Sequence, residues 1–590
     1  MTPSRKRKLE DGAIAVLLGA GYTTWLVRTV KDLGYARDEG FYFQAAAAYG
    51  RWFEQLVASP RAALETRAID AAWSANHEHP ALIKSLFALS STFLQKKWAL
   101  FAMEGTSYRF PAMVLAGLAV AVIFLWGTEA RGRVAGLAAA ALFALMPRVF
   151  YQSHLACFDI PIVAIWTLGA YAYWRAVRHG GWHRALLAGV AFGLALDTKH
   201  NSWFLPIACT AHFMALMAWS RLARSRFGPL LPRATTDAPA ARRAFFALSA
   251  MGLVGPLVLY ALWPWIWHDT AARLRGYALF HLNHEYYNME FLGKNYWIPP
   301  MPRGYAWLMT LGTVPGVTLV LFAIGLAVRA RPWIAGVVAR VRRREADGAP
   351  GPAAKVDATA TDLLWIACLL MNYAAWLSPR TPIFGGTKHW MTAYPFLALF
   401  AGVGFDAVVR GARRQLFSWR RRAPILRTLA ADPGLAAATL GALVIAAPLA
   451  ETIGSHPWGL SAYTPLVGGA SGAASLGLNR TFWGYTTGAV AGYLDKAAPR
   501  GSSVYIHDTA GQSWDMLLRD KRIRRDIRGV WSIAGASYGL YHHEKHMLGQ
   551  EYQNWIAFGT LRPAHIGGLD GVPVILVYED PKITAQRQKP

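Results

Sequence analysis

The sequence predicts an all-α polytopic membrane protein of about eleven transmembrane helices, with a small extramembrane α/β domain at its C-terminal end. Three observations predict it. Hydrophobic residues make up 54% of the 590 positions and charged residues only 16%, where about 25% charge is usual for soluble domains. So little charge cannot coat several globular domains, and so much apolar chain is not disordered. The net charge of +27 falls in short clusters between apolar runs, which fits membrane-flanking loops rather than nucleic-acid binding. Beyond about residue 451 the apolar runs break up, and Pro499-Arg500-Gly501 and Gly567-Gly568-Leu569-Asp570-Gly571 read as turns around strands at 503–507 and 572–578.

Each span needs about 20 apolar residues, because lipid offers the backbone no hydrogen-bond partners. Candidates run at 11–30, 107–127, 133–150, 158–177, 184–197, 201–220, 244–266, 305–328, 361–378, 389–409 and 433–450. Arg5, Lys6, Arg7 and Lys8 precede the first, as in a secretory signal, but Arg28 and Lys31 interrupt its end and no convincing cleavage site follows, so retention as an anchor is expected. Alternate loops carry the basic residues: Arg131 and Arg133, then Arg175, Arg178 and Arg184, then 221–243, then 329–355, then 410–427. That side, with the N-terminus, reads as cytoplasmic. The organisation expected is a transmembrane domain at 1–450, with outer loops at 31–106 and 267–304, and an outer-face domain at 451–590. Cys157, Cys209 and Cys368 make no disulfide framework.

The unusual polar clusters all fall on the opposite, outer side. Arg37-Asp38-Glu39 stands just beyond the first span, and Asn76-His77-Glu78-His79-Pro80-Ala81-Leu82-Ile83-Lys84 follows in the same loop. Asp159 begins the fourth span, Asp197, Thr198, Lys199 and His200 form a turn, His281, His284, Glu285 and Tyr286 lie in the second outer loop, and Lys388 and His389 open the tenth span. Ionisable groups at span ends are costly to desolvate and tend to line a site. Taken singly, Lys199 or Lys388 is equally a snorkelling anchor, Asp159 a helix cap, and Asp38 a solvated loop carboxylate. Together the clusters point to one acidic and cationic pocket.

Other patterns are set aside. Gly402-Val403-Gly404 mimics a dinucleotide fingerprint inside a span, no phosphate-binding Gly-x-x-x-x-Gly-Lys loop occurs, and His542 with His546 lacks zinc-protease spacing and reads as a solvated helix face.

The ordered motifs resemble the GT-C superfamily of membrane glycosyltransferases that use polyprenyl-phosphate sugars, and within it the branch of protein O-mannosyltransferases and the lipid A aminoarabinose transferase. Asp38-Glu39 resembles the family's first-loop acidic pair, His79 to Lys84 its His-Pro-Pro-Leu-x-Lys segment with Ala81 for the second proline, Asp159 its later acidic residue, Thr198-Lys199 its Thr-Lys turn, and Lys388 through Tyr394-Pro395 its late lysine-bearing span. His200 departs from the glycine often found there, and the tail carries no motif of the family. The resemblance implies an inverting glycosyltransferase of a bacterial inner membrane, working on its periplasmic face. Its partners would be membrane lipids, a polyprenyl-phosphate sugar donor and a lipid, glycan or protein acceptor, with no nucleic acid. It implies Asp38 as general base with Glu39, Asp159 and Glu78 beside it, and Lys199, Lys388, Lys84, Arg37 and His389 on the donor phosphate. His79, His200, His281, His284, Glu285 and Tyr286 would position substrate. No cofactor or metal is required on this reading, although a divalent metal stays open. The rivals are a transporter or flippase for a lipid-linked saccharide, which would place ionisable groups at mid-membrane, and a membrane-anchored binding protein acting through its tail.

Overall fold

The structure is a computed structural model and describes residues 3–224, 238–343, 356–419, 428 and 432–583. Parts of the basic loop segments at 221–243, 329–355 and 410–427 lie outside the described residues. All eleven expected stretches are largely helical, but length and composition qualify fewer of them as spans. Among the described residues seven helices are long and apolar enough to cross a membrane: Arg5–Asp32, Glu104–Arg131, His200–Trp219, Pro239–Leu262, Ala358–Leu377, Met391–Gln415 and Gly434–Ser455. The chain is a multi-pass membrane protein.

The other four fall short for visible reasons. Tyr305–Thr313 and Gly316–Arg331 pass the test only together and bend by 115°; Pro315 removes a backbone donor and disfavours helix before it. Arg133–Ala144 stops ahead of Pro147, and Trp182–Leu196 has 15 residues, about 22 Å of helix against a ~30 Å hydrocarbon layer. Asp159–His179 carries charge at both ends and is not among the seven.

Helices meet closely where glycine permits it. The helix Tyr394–Trp419 packs on Gly316–Arg343 and on Arg133–Ala144. A Cβ on Gly404 would lie 2.0 Å from the Leu321 carbonyl, and one on Gly402 2.2 Å from that of Ala135. The sham nucleotide fingerprint is thus a two-sided helix contact. Gly404→Val is expected to cost about 1–3 kcal/mol through overpacking, read as a lowered midpoint of thermal unfolding in detergent.

Basic residues of these loops pair with acids near them. Arg133 pairs with Glu10 (2.7 Å) and Asp11 (2.5 Å), Arg175 (3.6 Å) and His179 (2.7 Å) with Glu129, and Arg131 and Arg329 with Asp362. These groups all come from the loops read as basic. The outer-loop clusters instead share one cavity.

The second outer loop holds a hairpin that its sequence does not announce. Strands β1 (Met289–Phe291) and β2 (Lys294–Tyr296) are antiparallel around Leu292 (φ 50°) and Gly293 (φ 75°), a turn needing positive φ at both central residues. The C-terminal region forms a mixed five-stranded sheet of β3 (Ser503–Tyr505), β4 (Arg528–Val530), β5 (Tyr538–His542), β6 (His565–Leu569) and β7 (Val572–Glu579), ordered β4-β3-β5-β7-β6. Asp570 and Gly571, both at positive φ, turn β6 into β7, while Gly567 and Gly568 stand in β6 itself, at a bulge. His542 ends β5 fully buried, so the expectation of a solvated helix face there is corrected. The three cysteines are free and buried.

This region clamps the start of the first outer loop. The Arg37 N–H donates to the Trp483 carbonyl at 2.8 Å and the Ser513 hydroxyl to that of Ala36 at 3.0 Å. A Cβ on Gly34 would lie 2.2 Å from the Tyr485 carbonyl. Asp38 is therefore held against the C-terminal region.

Candidate active site

A cavity of about 490 Å³ opens where the outer loops meet the C-terminal region, within the range of small-molecule sites. Asp38 reaches it from the first turn of helix Arg37–Ala58, with its side chain 24% exposed. Asp159 enters from the first turn of Asp159–His179, and Lys199 donates to its Oδ1 at 2.6 Å. Lys388 enters from a tight turn begun by Gly385 (φ 67°) and Gly386 (φ 63°); a Cβ on Gly385 would stand 2.3 Å from Lys388 Cε. Its ammonium lies 3.8 Å from Asp38 Oδ2 and 3.7 Å from the Trp483 ring centroid. Burial lowers its pKa, opposed by Asp38 and Asp159. Asn201 Nδ2 donates to the His389 carbonyl at 3.0 Å and ties the two lysine turns together. Two ammonium groups, each beside a carboxylate, thus face one hollow.

The remaining expected residues divide. Arg37, Glu78, His79, His200, His281, His284 and His389 line the cavity. Arg37 donates to Asp508 Oδ1 at 3.1 Å, and Glu78 accepts from Asn76 at 2.5 Å. His281 bonds the Glu78 carbonyl at 2.9 Å and stacks on His200 at 4.1 Å. Burial holds His281 down at about 4 and His79 well below the usual histidine value, so both are neutral at pH 7. His284 stacks on Phe384 at 4.4 Å.

Four expected residues lie away from the cavity. Glu39 is fully buried among Arg109, which it meets twice at 2.7 Å, and the backbone N–H groups of Ala36 and Ala156, both at 2.9 Å. It holds the helix start rather than facing substrate. Lys84 turns back on its own loop and donates to the carbonyls of Asn76 and His79, the second at 2.9 Å; burial lowers its pKa to about 7. It braces the loop that carries Glu78 and His79 and does not line the cavity. Glu285 is not among the lining residues, and the Tyr286 hydroxyl donates to the Arg380 carbonyl at 2.6 Å.

The cavity wall also contains residues that sequence reasoning missed: Tyr287, Asn288, Trp297, Trp483, Asp508, Glu544 and His546. Only the histidine-rich run 542–546 carried a signal, and its spacing pointed nowhere. Among the described residues no group of three or more His, Cys, Asp or Glu could hold a metal ion.

Comparison with known proteins adds the family. Residues 89–232, less than half of the chain, match the family model "Dolichyl-phosphate-mannose-protein mannosyltransferase". They include Asp159 and the Thr198-Lys199 turn. That segment is similar to a GT-C family of glycosyltransferases. Similar solved structures include ArnT from Cupriavidus metallidurans bound to undecaprenyl phosphate (13% identity, 95% of this chain and 97% of that one, TM-score 0.40). Another is the oligosaccharyltransferase AglB from Archaeoglobus fulgidus in complex with an inhibitory peptide and a dolichol-phosphate (10% identity, 95% and 72%, TM-score 0.46). No curated protein gives a significant match. The matched segment supplies the Asp159–Lys199 half of the cavity, and segments outside it supply Asp38 and Lys388.

Proposed function

We propose that this protein transfers a sugar, with inversion, from a polyprenyl-phosphate carrier to an acceptor at the outer face of the bacterial inner membrane. The observation that carries this reading is the pair of couples, Lys199 with Asp159 and Lys388 with Asp38, facing one cavity at the ends of apolar helices. As the bond between the anomeric carbon and the phosphate oxygen breaks, its electron pair leaves on the phosphate. Fixed ammonium groups there stabilise the growing charge. The acceptor oxygen or nitrogen bonds to the opposite face of that carbon and passes its proton to Asp38. A carboxylate is a weak base for a free hydroxyl, so the proton moves late.

The 3.8 Å contact of Lys388 with Asp38 links the two events: a phosphate that engages Lys388 frees Asp38 to face the acceptor. A transporter would place its ionisable groups at mid-membrane, whereas here they stand on helix starts and turns. On this reading Lys199 and Lys388 meet the phosphate, while the Lys84 ammonium is engaged by carbonyls of its own loop.

The test is release of polyprenyl phosphate by the purified protein in lipid, given a polyprenyl-phosphate sugar. Lys199→Gln and Lys388→Gln are each expected to slow release on the order of 10²-fold. Full turnover in both variants would return these lysines to membrane anchoring.

A further inference from the structure

The C-terminal wall of the cavity has polar groups that neither the donor phosphate nor the base requires. Asp508 stands just beyond β3, and Glu544 follows β5. Their side chains are 3% and 9% exposed. Asp508 spends Oδ1 on Arg37, and Glu544 Oε2 stands 3.6 Å from His546. Asp508 Oδ2, Glu544 Oε1 and Asn288 Nδ2 are buried with no hydrogen-bond partner among the described residues, and all three residues line the cavity. Buried polar atoms are nearly always paired, so these orphans, two from the C-terminal region and one from the second outer loop, mark a part of the cavity where a ligand completes the bonding.

We propose that Asp508, Glu544 and Asn288 form a subsite for the hydroxyl groups of a saccharide acceptor. The proposal rests on the transferase reading above for the word acceptor. The chemistry of the wall selects the ligand: two carboxylate oxygens need donors and one amide N–H needs an acceptor. Sugar hydroxyls both donate and accept, whereas an ammonium group only donates and would leave Asn288 unpaired. Position selects the acceptor over the transferred sugar. Arg37 bonds Asp508 and adjoins Asp38 in the chain, which places this wall beside the base. Burial, with the neighbouring carboxylate, pushes Asp508 up to about 6 and Glu544 well above the carboxylate range. Hydroxyl donors would favour the charged forms and release protons on binding.

The experiment is calorimetric titration of the full chain in lipid nanodiscs, without donor, using methyl α-mannoside, methyl β-glucoside and methyl β-galactoside, with methylammonium as the amine probe. The wild type is expected to bind at least one glycoside and not methylammonium. Asp508→Asn and Glu544→Gln should each weaken that binding at least tenfold while retaining the wild-type unfolding midpoint. In transfer assays the same variants should raise KM for the acceptor and leave KM for the donor unchanged. No glycoside binding by the wild type, binding undiminished in both variants, methylammonium bound instead, or a rise confined to donor KM would each overturn the proposal. If release of polyprenyl phosphate persists under those results, only the subsite falls. If carboxylate-dependent glycoside binding is found but no release occurs, the transferase reading falls and the subsite stands.

Discussion

Asp38→Asn lowers sugar transfer on the order of 10²–10⁴-fold, the usual worth of a positioned general base, and leaves the unfolding midpoint unchanged. Amide and carboxylate are nearly the same shape, so packing survives. What is lost is the proton acceptor beside the acceptor's path and the partner of Lys388 at 3.8 Å. The Asp38 side chain is partly exposed in the cavity, and the buried Lys388 it leaves keeps Asp159 as a second counter-charge, which limits the cost to the fold. Initial rates of polyprenyl phosphate release, with donor and acceptor both saturating, separate this from weakened binding. A variant with full turnover removes Asp38 from the chemistry.

Its neighbour behaves in the opposite way. Glu39→Gln is expected to destabilise the fold by about 3–5 kcal/mol, because it strands a buried guanidinium without its counter-charge. Arg109 is 1% exposed and meets Glu39 through both Nε and Nη2. The same carboxylate also accepts from the N–H groups of Ala36 and Ala156, so it joins the first outer loop, the helix Glu104–Arg131 and the approach to Asp159. Denaturant unfolding in detergent measures the loss. The double variant Glu39→Gln/Arg109→Met should regain part of it, since removing both charges is far less costly than removing one. Wild-type stability in Glu39→Gln would contradict the clamp.

These adjacent acids show how far the sequence can be read. Both stood out as carboxylates in a charge-poor stretch, and helical geometry sends neighbouring residues to different faces, but nothing local says which one faces the cavity. Helix starts and turns bearing Asp159, Lys199 and Lys388 were legible because apolar runs announce where membrane helices end. The Asp508–Glu544 wall was not, since its meeting with Arg37 closes 471 positions of chain and leaves no local pattern. Lys84 shows the reverse error: its motif marked it as a phosphate ligand, while the turn of the loop directs its ammonium back to carbonyls at 76 and 79. Among the described residues length and composition qualify seven of the eleven expected spans, and apolar composition alone does not reveal the bend at Pro315 or the break before Pro147. The Leu292-Gly293 hairpin was missed because leucine at positive φ is uncommon.

The central claim is that one hollow at the outer boundary receives a carrier phosphate between two lysines. An experimental map of the protein with bound polyprenyl phosphate tests it most directly. The account predicts phosphate density within hydrogen-bond reach of Lys199 and Lys388, with Asp38 released from Lys388. Phosphate bound elsewhere, with both lysines still paired to Asp159 and Asp38, would contradict it.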